Sequence, residues 1–271
     1  MNLYHEPIGQ LEDGRYGKYV RLNARDVDLN NRWKLSAVFE TFQEIAGEQC
    51  NNLGFGWETM MTQYGYCFVI VRMHVEMDAY PGVNQVVRVE TWPENKLRLI
   101  FTRYFRIIDQ EDRVIGRAVS QWVLFDTKSR MVVKPQNCPI VQTPDTSSLE
   151  PPAVMPKRGA EPILDSEEVA DTHLSDRIPA YSDFDYNRHV NNARYIEWVM
   201  DALPADCYGK NIVSLDIHYE HEIDFDTFMG TDQASASLSV TTKIFSAGDK
   251  FEVIACHPDG TRCYTCTGRF A

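Results

Sequence analysis

The sequence predicts an α+β protein built from two similar halves, each with one long helix and an antiparallel sheet. Each half contains one run of apolar residues at helical spacing, and most of the remainder alternates between apolar and polar residues with a period of two. A proline-rich stretch without such periodicity separates the halves. We therefore expect two domains, residues 1–143 and 166–271, joined by a linker over residues 144–165.

The helix of the first half is predicted from Leu35 to Ala46, where apolar residues recur every three or four positions. The helix of the second half is predicted over residues 192–203, and it ends before Pro204 because proline cannot continue a helix. Runs with period-two alternation lie between turn-forming residues and predict antiparallel strands. These strands are expected at 66–78, 83–92, 98–109, 113–125, 212–222, 232–245, 250–257 and 261–270.

The composition is that of a globular protein with a strong excess of acidic residues. The formal charge of the 271 residues is −12, which argues against a nucleic-acid partner because such proteins are usually basic. No run approaches the roughly 18 apolar residues of a membrane helix, so no membrane partner is expected. The N-terminal residues resemble neither a signal peptide nor a transit peptide, and the seven cysteines are scattered. We therefore expect a cytoplasmic protein.

A short polar segment precedes both predicted helices and indicates a duplication. The segment Asp26–Arg32 matches Asp183–His189 at an offset of 157 residues (183 − 26). The second segment ends in a histidine and the first in an arginine. Because arginine stays protonated near neutral pH whereas histidine can exchange a proton, we expect the chemistry to lie in the second half.

The second segment contains candidate catalytic residues. If it is extended, Asp185, Asn187 and His189 project from one face at alternate positions. Glu220, on the strand predicted over 212–222, supplies a further carboxylate. Each of these residues also has a structural interpretation, since Asp and Asn before a helix often form turns and caps. Asn191 and Asn192 are interpreted as such caps.

The run DYNRHVNNARYIEW, from Asp185 to Trp198, resembles the signature of the acyl-acyl carrier protein (acyl-ACP) thioesterases. This family comprises the plant plastid enzymes that release fatty acids and their bacterial relatives. The resemblance implies a tandem double hot-dog fold, in which each half is a long helix wrapped by an antiparallel β-sheet. It also implies that the N-terminal hot-dog binds the acyl chain and that the C-terminal one is catalytic, through Asp185, Asn187, His189 and Glu220.

The family resemblance implies hydrolysis of a fatty acyl-ACP by water. Glu220, expected to be partly buried, or His189 would act as the base. Asn187 and the first N–H groups of the 192–203 helix would stabilise the oxyanion, and Asp185 would hold Asn187 or His189 in place. His221 occupies a position where the plant enzymes commonly have a cysteine, so covalent catalysis by a thiol is not expected.

The acyl chain requires an apolar slot. The segment from Leu53 to Met61 and the inner face of the first helix are candidates to line it, and the expected substrate-binding residues are Phe39, Trp57, Met60 and Met61. The alternative is that these residues only close one end of the first domain. The expected partner is an acyl carrier protein, and the chain is expected to be a monomer or a homodimer without a cofactor.

Three alternatives remain open at this point. An acyl-coenzyme A thioesterase would use the same catalytic group, and a hot-dog protein that binds acyl chains without cleaving them would not need it. A metal enzyme built on His218, Glu220 and Glu222 is allowed by strand geometry but has no obvious further ligand. The CxxC sequence Cys263–Cys266 is not expected to bind metal, because residues three apart on a strand face opposite ways.

Overall fold

The computed structural model describes residues 9–94, 99–140, 143–157, 168–230, 236–245 and 248–271. The chain divides into two compact units, Met1–Met155 and Pro156–Ala271. The division falls within the stretch predicted as a linker, of which residues 158–165 lie outside the described residues. In the described part of the chain, no helix has both the length and the apolar character needed to cross a membrane.

The first unit combines a long helix with an antiparallel sheet. Helix α1 spans Leu35–Asn52, and the short helix α2, Trp57–Thr59, continues into one π-helical turn, Met60–Tyr64. The strands are β1 (Gly9–Gln10), β2 (Tyr16–Arg21), β3 (Tyr66–Met77), β4 (Val86–Pro93), β5 (Phe101–Ile108), β6 (Val114–Asp126) and β7 (Met131–Val132). They pair in the order β1-β2-β4-β5-β6-β3, and β7 pairs with β6.

Helix α1 packs its apolar face on this sheet. Phe39, Phe42 and Ile45 are completely buried, and the ring of Phe42 stacks on Phe105 of β5 with centroids 4.4 Å apart. Each such side chain contributes about 1.5–3 kcal/mol by leaving water. The helix is therefore held by its packing against the strands rather than by helix propensity alone.

The second unit repeats this plan. Helix α3 spans Asn192–Ala202, and a short helix, α4, spans Phe225–Gly230. The strands are β8 (Val169–Arg177), β9 (Ile212–Tyr219), β10 (Leu238–Phe245), β11 (Lys250–Cys256) and β12 (Arg262–Phe270). They form antiparallel pairs in the order β9-β12-β11-β10-β8.

Aromatic side chains attach α3 to its sheet. The ring of Tyr195 makes edge contacts with Tyr219 of β9 and Tyr264 of β12, with centroids 5.7 and 5.4 Å apart. On the next turn Trp198 is buried, and the guanidinium of Arg177 on β8 lies 4.9 Å from its ring centroid. These contacts fix the start of α3 beside the end of β9, where the candidate site lies.

The predicted fold class, two halves that each pair a long helix with an antiparallel sheet, is confirmed. Two differences have physical causes. Helix α1 continues six residues beyond Ala46, to Asn52, although its last turns are rich in polar residues. Strands β1, β2, β7 and β8 and the short helix α4 were not predicted. Strand β8 is exposed along most of its length, so its sequence shows no alternation of apolar and polar residues.

Candidate functional site

A short 3-10 helix, Tyr181–Asp183, anchors the polar segment that precedes α3. The buried Asp183 carboxylate accepts a hydrogen bond from the Ala180 N–H at 2.7 Å. The Asp183 carbonyl accepts another from the Asn191 N–H at 2.9 Å. The two ends of the loop are therefore held together just before the helix begins.

Between these anchors the chain forms a tight hairpin turn, Asp185–His189, called here the second-half turn. The Asp185 N–H donates to the His189 carbonyl at 2.9 Å, and the Arg188 N–H donates to the Asp185 carbonyl at 3.0 Å. Arg188 has a φ of 65°, in the left-handed region. The expectation of an extended segment with alternating side chains is therefore wrong, because the backbone reverses direction within these residues.

Asp185 shapes this turn. Its Oδ1 accepts a hydrogen bond from the backbone N–H of Asn187 at 2.8 Å, which is the usual turn-forming role of an aspartate. The Asn187 side chain is exposed and makes no hydrogen bond to another described residue. Its amide is therefore available to a bound molecule.

His189 contacts the chain that follows β9. Its Nδ1 lies 3.3 Å from Oε1 of Glu222, and its backbone pairs with Asp224 in an antiparallel bridge. The histidine is half-buried. The structure thus brings the second-half turn against the segment just beyond Glu220.

Glu220 lies in a bulge at the end of β9. The N–H groups of Glu220 and His221 both donate to the Cys263 carbonyl, at 3.0 and 3.1 Å. Two residues therefore face one on β12, which ends the regular strand at Tyr219, before the predicted residue 222. The strict alternation expected to turn His221 away from Glu220 does not apply within such a bulge.

The Glu220 carboxylate is exposed, in contrast to the expected partial burial. Its Oε1 accepts a hydrogen bond from the Thr265 hydroxyl at 2.8 Å. Among the described residues, no hydrogen bond or ion pair directly joins two of the four predicted catalytic side chains. What the structure brings together is His189 with Glu222, two positions after Glu220.

The start of α3 lies beside these residues. Asn191 is the N-cap, since its Oδ1 accepts from the Ala193 N–H at 2.9 Å and its carbonyl accepts from the Arg194 N–H at 2.9 Å. The capping role predicted for Asn191 is confirmed, while Asn192 is the first helical residue. Because the cap occupies two of the first N–H groups, fewer are free to stabilise an oxyanion than the sequence suggested.

The first half contains the same turn, residues Asp28–Arg32, called here the first-half turn. Three hydrogen bonds of the second-half turn have counterparts here: Asp28 N–H to the Arg32 carbonyl at 2.8 Å, Asn31 N–H to the Asp28 carbonyl at 3.0 Å, and Asn30 N–H to Asp28 Oδ1 at 2.8 Å. Asn31 has a φ of 57°, matching that of Arg188. This agreement supports the duplication inferred from the sequence.

The two turns differ at their last residue. In the first half, the Arg32 guanidinium donates to Asp28 Oδ2, with its Nη2 2.9 Å away, and closes an ion pair within the turn. In the second half, His189 contacts Glu222 outside the turn. The side chain that can exchange a proton is thus directed toward other functional groups, whereas the arginine is held by its own turn.

Nearby thiols are protonated and buried. Burial raises the pKa of Cys263 to about 12, and it raises the pKa of Cys266 well above its ordinary value. A thiol attacks as its thiolate, so neither cysteine is a nucleophile near neutral pH. Among the described residues, no group of three His, Cys, Asp or Glu side chains could hold a metal ion.

The candidate acyl-binding residues lie in the first unit. Met60 is buried against Phe55 and Leu124 in a small apolar cluster, and Phe39 is buried in the core beneath α1. Met61 is half-buried, and Trp57 is 44% exposed. These positions agree equally with lining a slot and with closing one end of the unit.

Comparisons with known proteins cover both units. A family model described as the N-terminal domain of acyl-ACP thioesterases matches residues 14–137, and the C-terminal domain model matches residues 166–255. The chloroplast oleoyl-acyl carrier protein thioesterase of Coriandrum sativum is 30% identical over 235 residues, which cover 81% of this chain and 63% of that protein. An Arabidopsis thaliana protein of the same name, oleoyl-acyl carrier protein thioesterase 2, is 28% identical over 79% of this chain and 62% of its own length. The chain therefore spans less than two thirds of these relatives.

Solved structures share the fold over nearly the whole chain. An acyl-ACP thioesterase from Bacteroides thetaiotaomicron superposes with a TM-score of 0.76 at 24% identity, covering 96% of this chain and 99% of that one. The 12:0-ACP thioesterase of Umbellularia californica superposes with a TM-score of 0.72 at 19% identity, covering 96% and 98% of the two chains. The double hot-dog fold implied by the sequence is thereby confirmed.

Proposed function

Because the chain belongs to the acyl-ACP thioesterase family, we propose that it hydrolyses the thioester of a fatty acyl-ACP and releases a free fatty acid, which ends chain elongation. One observation carries the proposal. The two hairpin turns have the same backbone bonds, yet only the second ends in a proton-exchanging side chain directed at a carboxylate. Packing alone would not require this difference.

In the proposed reaction, a water molecule attacks the thioester carbonyl carbon and His189 or Glu220 takes its proton. The oxygen forms a bond to carbon, the carbon–sulfur bond then breaks, and the thiol of the carrier leaves with a proton. The Glu220 carboxylate is accessible to such a water, and its Oε1 accepts a hydrogen bond from the Thr265 hydroxyl. A cysteine nucleophile is disfavoured, since His221 occupies the position beside Glu220 and the Cys263 thiol is buried.

The Asn187 side chain is the proposed donor to the oxyanion. It is exposed, and the hydrogen bonds that close the turn fix the position of its backbone before substrate arrives. The N–H group in the first turn of α3 that the Asn191 cap does not occupy lies at the positive end of the helix dipole. It adds to the positive electrostatic potential at that end of the helix. Asp185 acts indirectly, by fixing the turn that presents Asn187.

The proposed partner is an acyl carrier protein, although electrostatics give it little support. Carrier proteins are acidic and this chain has a net charge of −12. A local basic surface could still attract a carrier protein, and its candidates are the basic residues on and before β5 and those beside the second-half turn: Lys96, Arg98, Arg103, Arg106, Arg188 and Arg194. Arg103 is buried, and three others form ion pairs: Arg106 with Glu90, Arg188 with Asp226, and Arg194 with Glu197. Lys96 and Arg98 lie outside the described residues.

Rates of thiol release from matched acyl-ACP and acyl-coenzyme A substrates of increasing chain length test the proposal. Faster cleavage of the carrier-bound series is expected. Equal or faster cleavage of the coenzyme A series would support the alternative of an acyl-coenzyme A thioesterase. Binding of acyl chains without cleavage of either series would show a non-catalytic binding protein.

Light scattering of the same sample distinguishes monomer from homodimer, and cell fractionation tests the proposed cytoplasmic location.

We propose that Met60 and Met61, with Phe39 and Trp57, limit the length of the bound acyl chain. Met61→Ala should then shift the released fatty acids toward longer chains and Met61→Phe toward shorter ones, because the side chain would occupy the end of the slot. Met61 is the sharper test, since Met60 is buried and its truncation would cost about 2–5 kcal/mol of stability. Gas chromatography of the products gives the profile.

The control for this test is Met131 on β7, which is 65% exposed and should tolerate the same substitutions without effect. An identical product profile in Met61→Ala, Met61→Phe and wild type would leave these residues with a structural role only.

A further inference from the structure

The ion pair between His189 and Glu222 joins the second-half turn to the segment that follows β9. The two side chains approach to 3.3 Å between Nδ1 and Oε1, while the equivalent residue of the first-half turn, Arg32, is bound by Asp28 within its own turn. The Nδ1 atom is buried and makes no hydrogen bond to a described residue, and the Glu222 carboxylate lies beside it at ion-pair distance. A buried ring nitrogen without a hydrogen bond costs free energy, so a small shift that lets the Nδ1–H reach this carboxylate is favoured.

Backbone hydrogen bonds on both sides hold this pair in register. The Val190 N–H donates to the Ile223 carbonyl at 3.0 Å, and the Phe225 N–H donates to the Arg188 carbonyl at 2.7 Å. The residues carrying the imidazole and the carboxylate are thus clamped in a short antiparallel ladder. Their proximity is a property of the backbone rather than of two flexible side chains meeting at a surface.

The bulge at the end of β9 determines which carboxylate meets the histidine. It carries Glu220 toward β12, where the Thr265 hydroxyl binds it, and leaves the next glutamate beside His189. Glu222 and Asp224 also line an open groove of about 420 Å³ in the second unit, together with Ile223 and Phe228. Glu222 therefore borders a space that a substrate group can enter, while His189 lies beside Glu222 and does not line the groove.

We propose that Glu222 is a positioning residue for His189 and that His189 is the group that moves the proton. This inference rests on the proposed thioester hydrolysis. A carboxylate at Nδ1 accepts the Nδ1–H, which fixes the tautomer in which Nε2 carries the free lone pair. Nε2 takes a proton from the attacking water and returns it to the leaving thiolate, so the imidazole is unchanged after each turnover.

The primary test is Glu222→Gln, which keeps the size of the side chain and removes its charge. We expect kcat for acyl-ACP to fall about tenfold or more, with KM changed less than about twofold, because the change affects proton transfer and leaves substrate contacts in place. Glu222→Asp, which retains the charge, should recover part of the loss. Glu111→Gln is the matched control, since Glu111 is also an exposed glutamate paired with a basic side chain and lies in the first unit.

A second readout does not depend on turnover. Long-range proton–nitrogen NMR spectra, with the His189 signals assigned by their loss in His189→Asn, report which ring nitrogen carries the proton. Wild type should show Nδ1 protonated, and Glu222→Gln should shift the population toward protonated Nε2. An unchanged tautomer together with unchanged kcat in Glu222→Gln would overturn the inference.

The failure of this inference can be told apart from that of the proposed function. If wild type and Glu222→Gln cleave thioesters equally well, the proposed function stands and only the role of Glu222 is wrong. If wild type cleaves no thioester, the proposed function is wrong. If the tautomer of His189 is then also unchanged in Glu222→Gln, Glu222 does not position His189.

Discussion

Asn187→Ala is expected to lower kcat/KM for acyl-ACP by about 10²–10³, because one preorganised donor to the oxyanion is lost. The fold should be unaffected. The Asn187 side chain is exposed and makes no hydrogen bond to another described residue, and the bond that closes the turn uses its backbone N–H, which alanine retains. The change in unfolding free energy should stay within about 0.5 kcal/mol. Steady-state kinetics and thermal melting of the same preparation separate the two effects.

The duplication provides a matched control for this experiment. Asn30 occupies the same position in the first-half turn, and its N–H makes the same 2.8 Å bond to the aspartate two residues earlier. Asn30→Ala should retain full activity, because that turn ends in a bound arginine rather than a histidine. Equal losses in Asn30→Ala and Asn187→Ala would mean that both turns serve folding and that the oxyanion donor lies elsewhere.

Gly268→Ala is expected to be the most destabilising single-methyl addition in the second unit. Gly268 on β12 is paired with Phe251 on β11, and a Cβ at Gly268 would lie 2.2 Å from Cζ of that ring. The ring cannot simply move aside, since it is completely buried and packs on Phe270 with centroids 5.0 Å apart. Overpacking of this kind costs about 1–3 kcal/mol.

Gly209 is the control for this substitution. Apart from its two chain neighbours, no described residue has a heavy atom within 4 Å of its ideal Cβ position, and its φ is not in the left-handed region. Gly209→Ala should therefore be neutral or slightly stabilising. Thermal denaturation followed by circular dichroism should show a lower Tm for Gly268→Ala only. An unchanged Tm would mean that the Phe251 ring has room that the structure does not show.

The two long helices, α1 and α3, were predictable because apolar periodicity dominates their packing, and the error at the end of α1 shows where that signal ends. Beyond Ala46 the helix continues through Gln49, a polar residue that is completely buried. Its amide donates to the Gly14 carbonyl at 3.1 Å and accepts from the Arg103 guanidinium at 2.6 Å. A polar side chain that is buried because it makes hydrogen bonds leaves no hydrophobic pattern in the sequence.

The assignment of the site residues stays a prediction, and the geometry of the turn that carries three of them was not predictable. Histidine in place of arginine was visible from the duplicated segment alone. The reversal at Arg188, which adopts a positive φ that is uncommon for this residue type, depends on hydrogen bonds closed by Asp185 and His189. The role proposed for Glu222 depends on the bulge at the end of β9. A bulge has no clear sequence signature, so the sequence predicts regular strand alternation through these residues instead.

The agreement between the two hairpin turns has a consequence for how this protein can change over evolutionary time. In both copies the loop is shaped by its own main chain and by one aspartate, while the residue four positions later is arginine in one copy and histidine in the other. The last position of each turn can therefore change without loss of the turn. Selection can act there on reactivity alone, which is the condition under which one member of a duplicated pair acquires a new role while its twin remains a structural support.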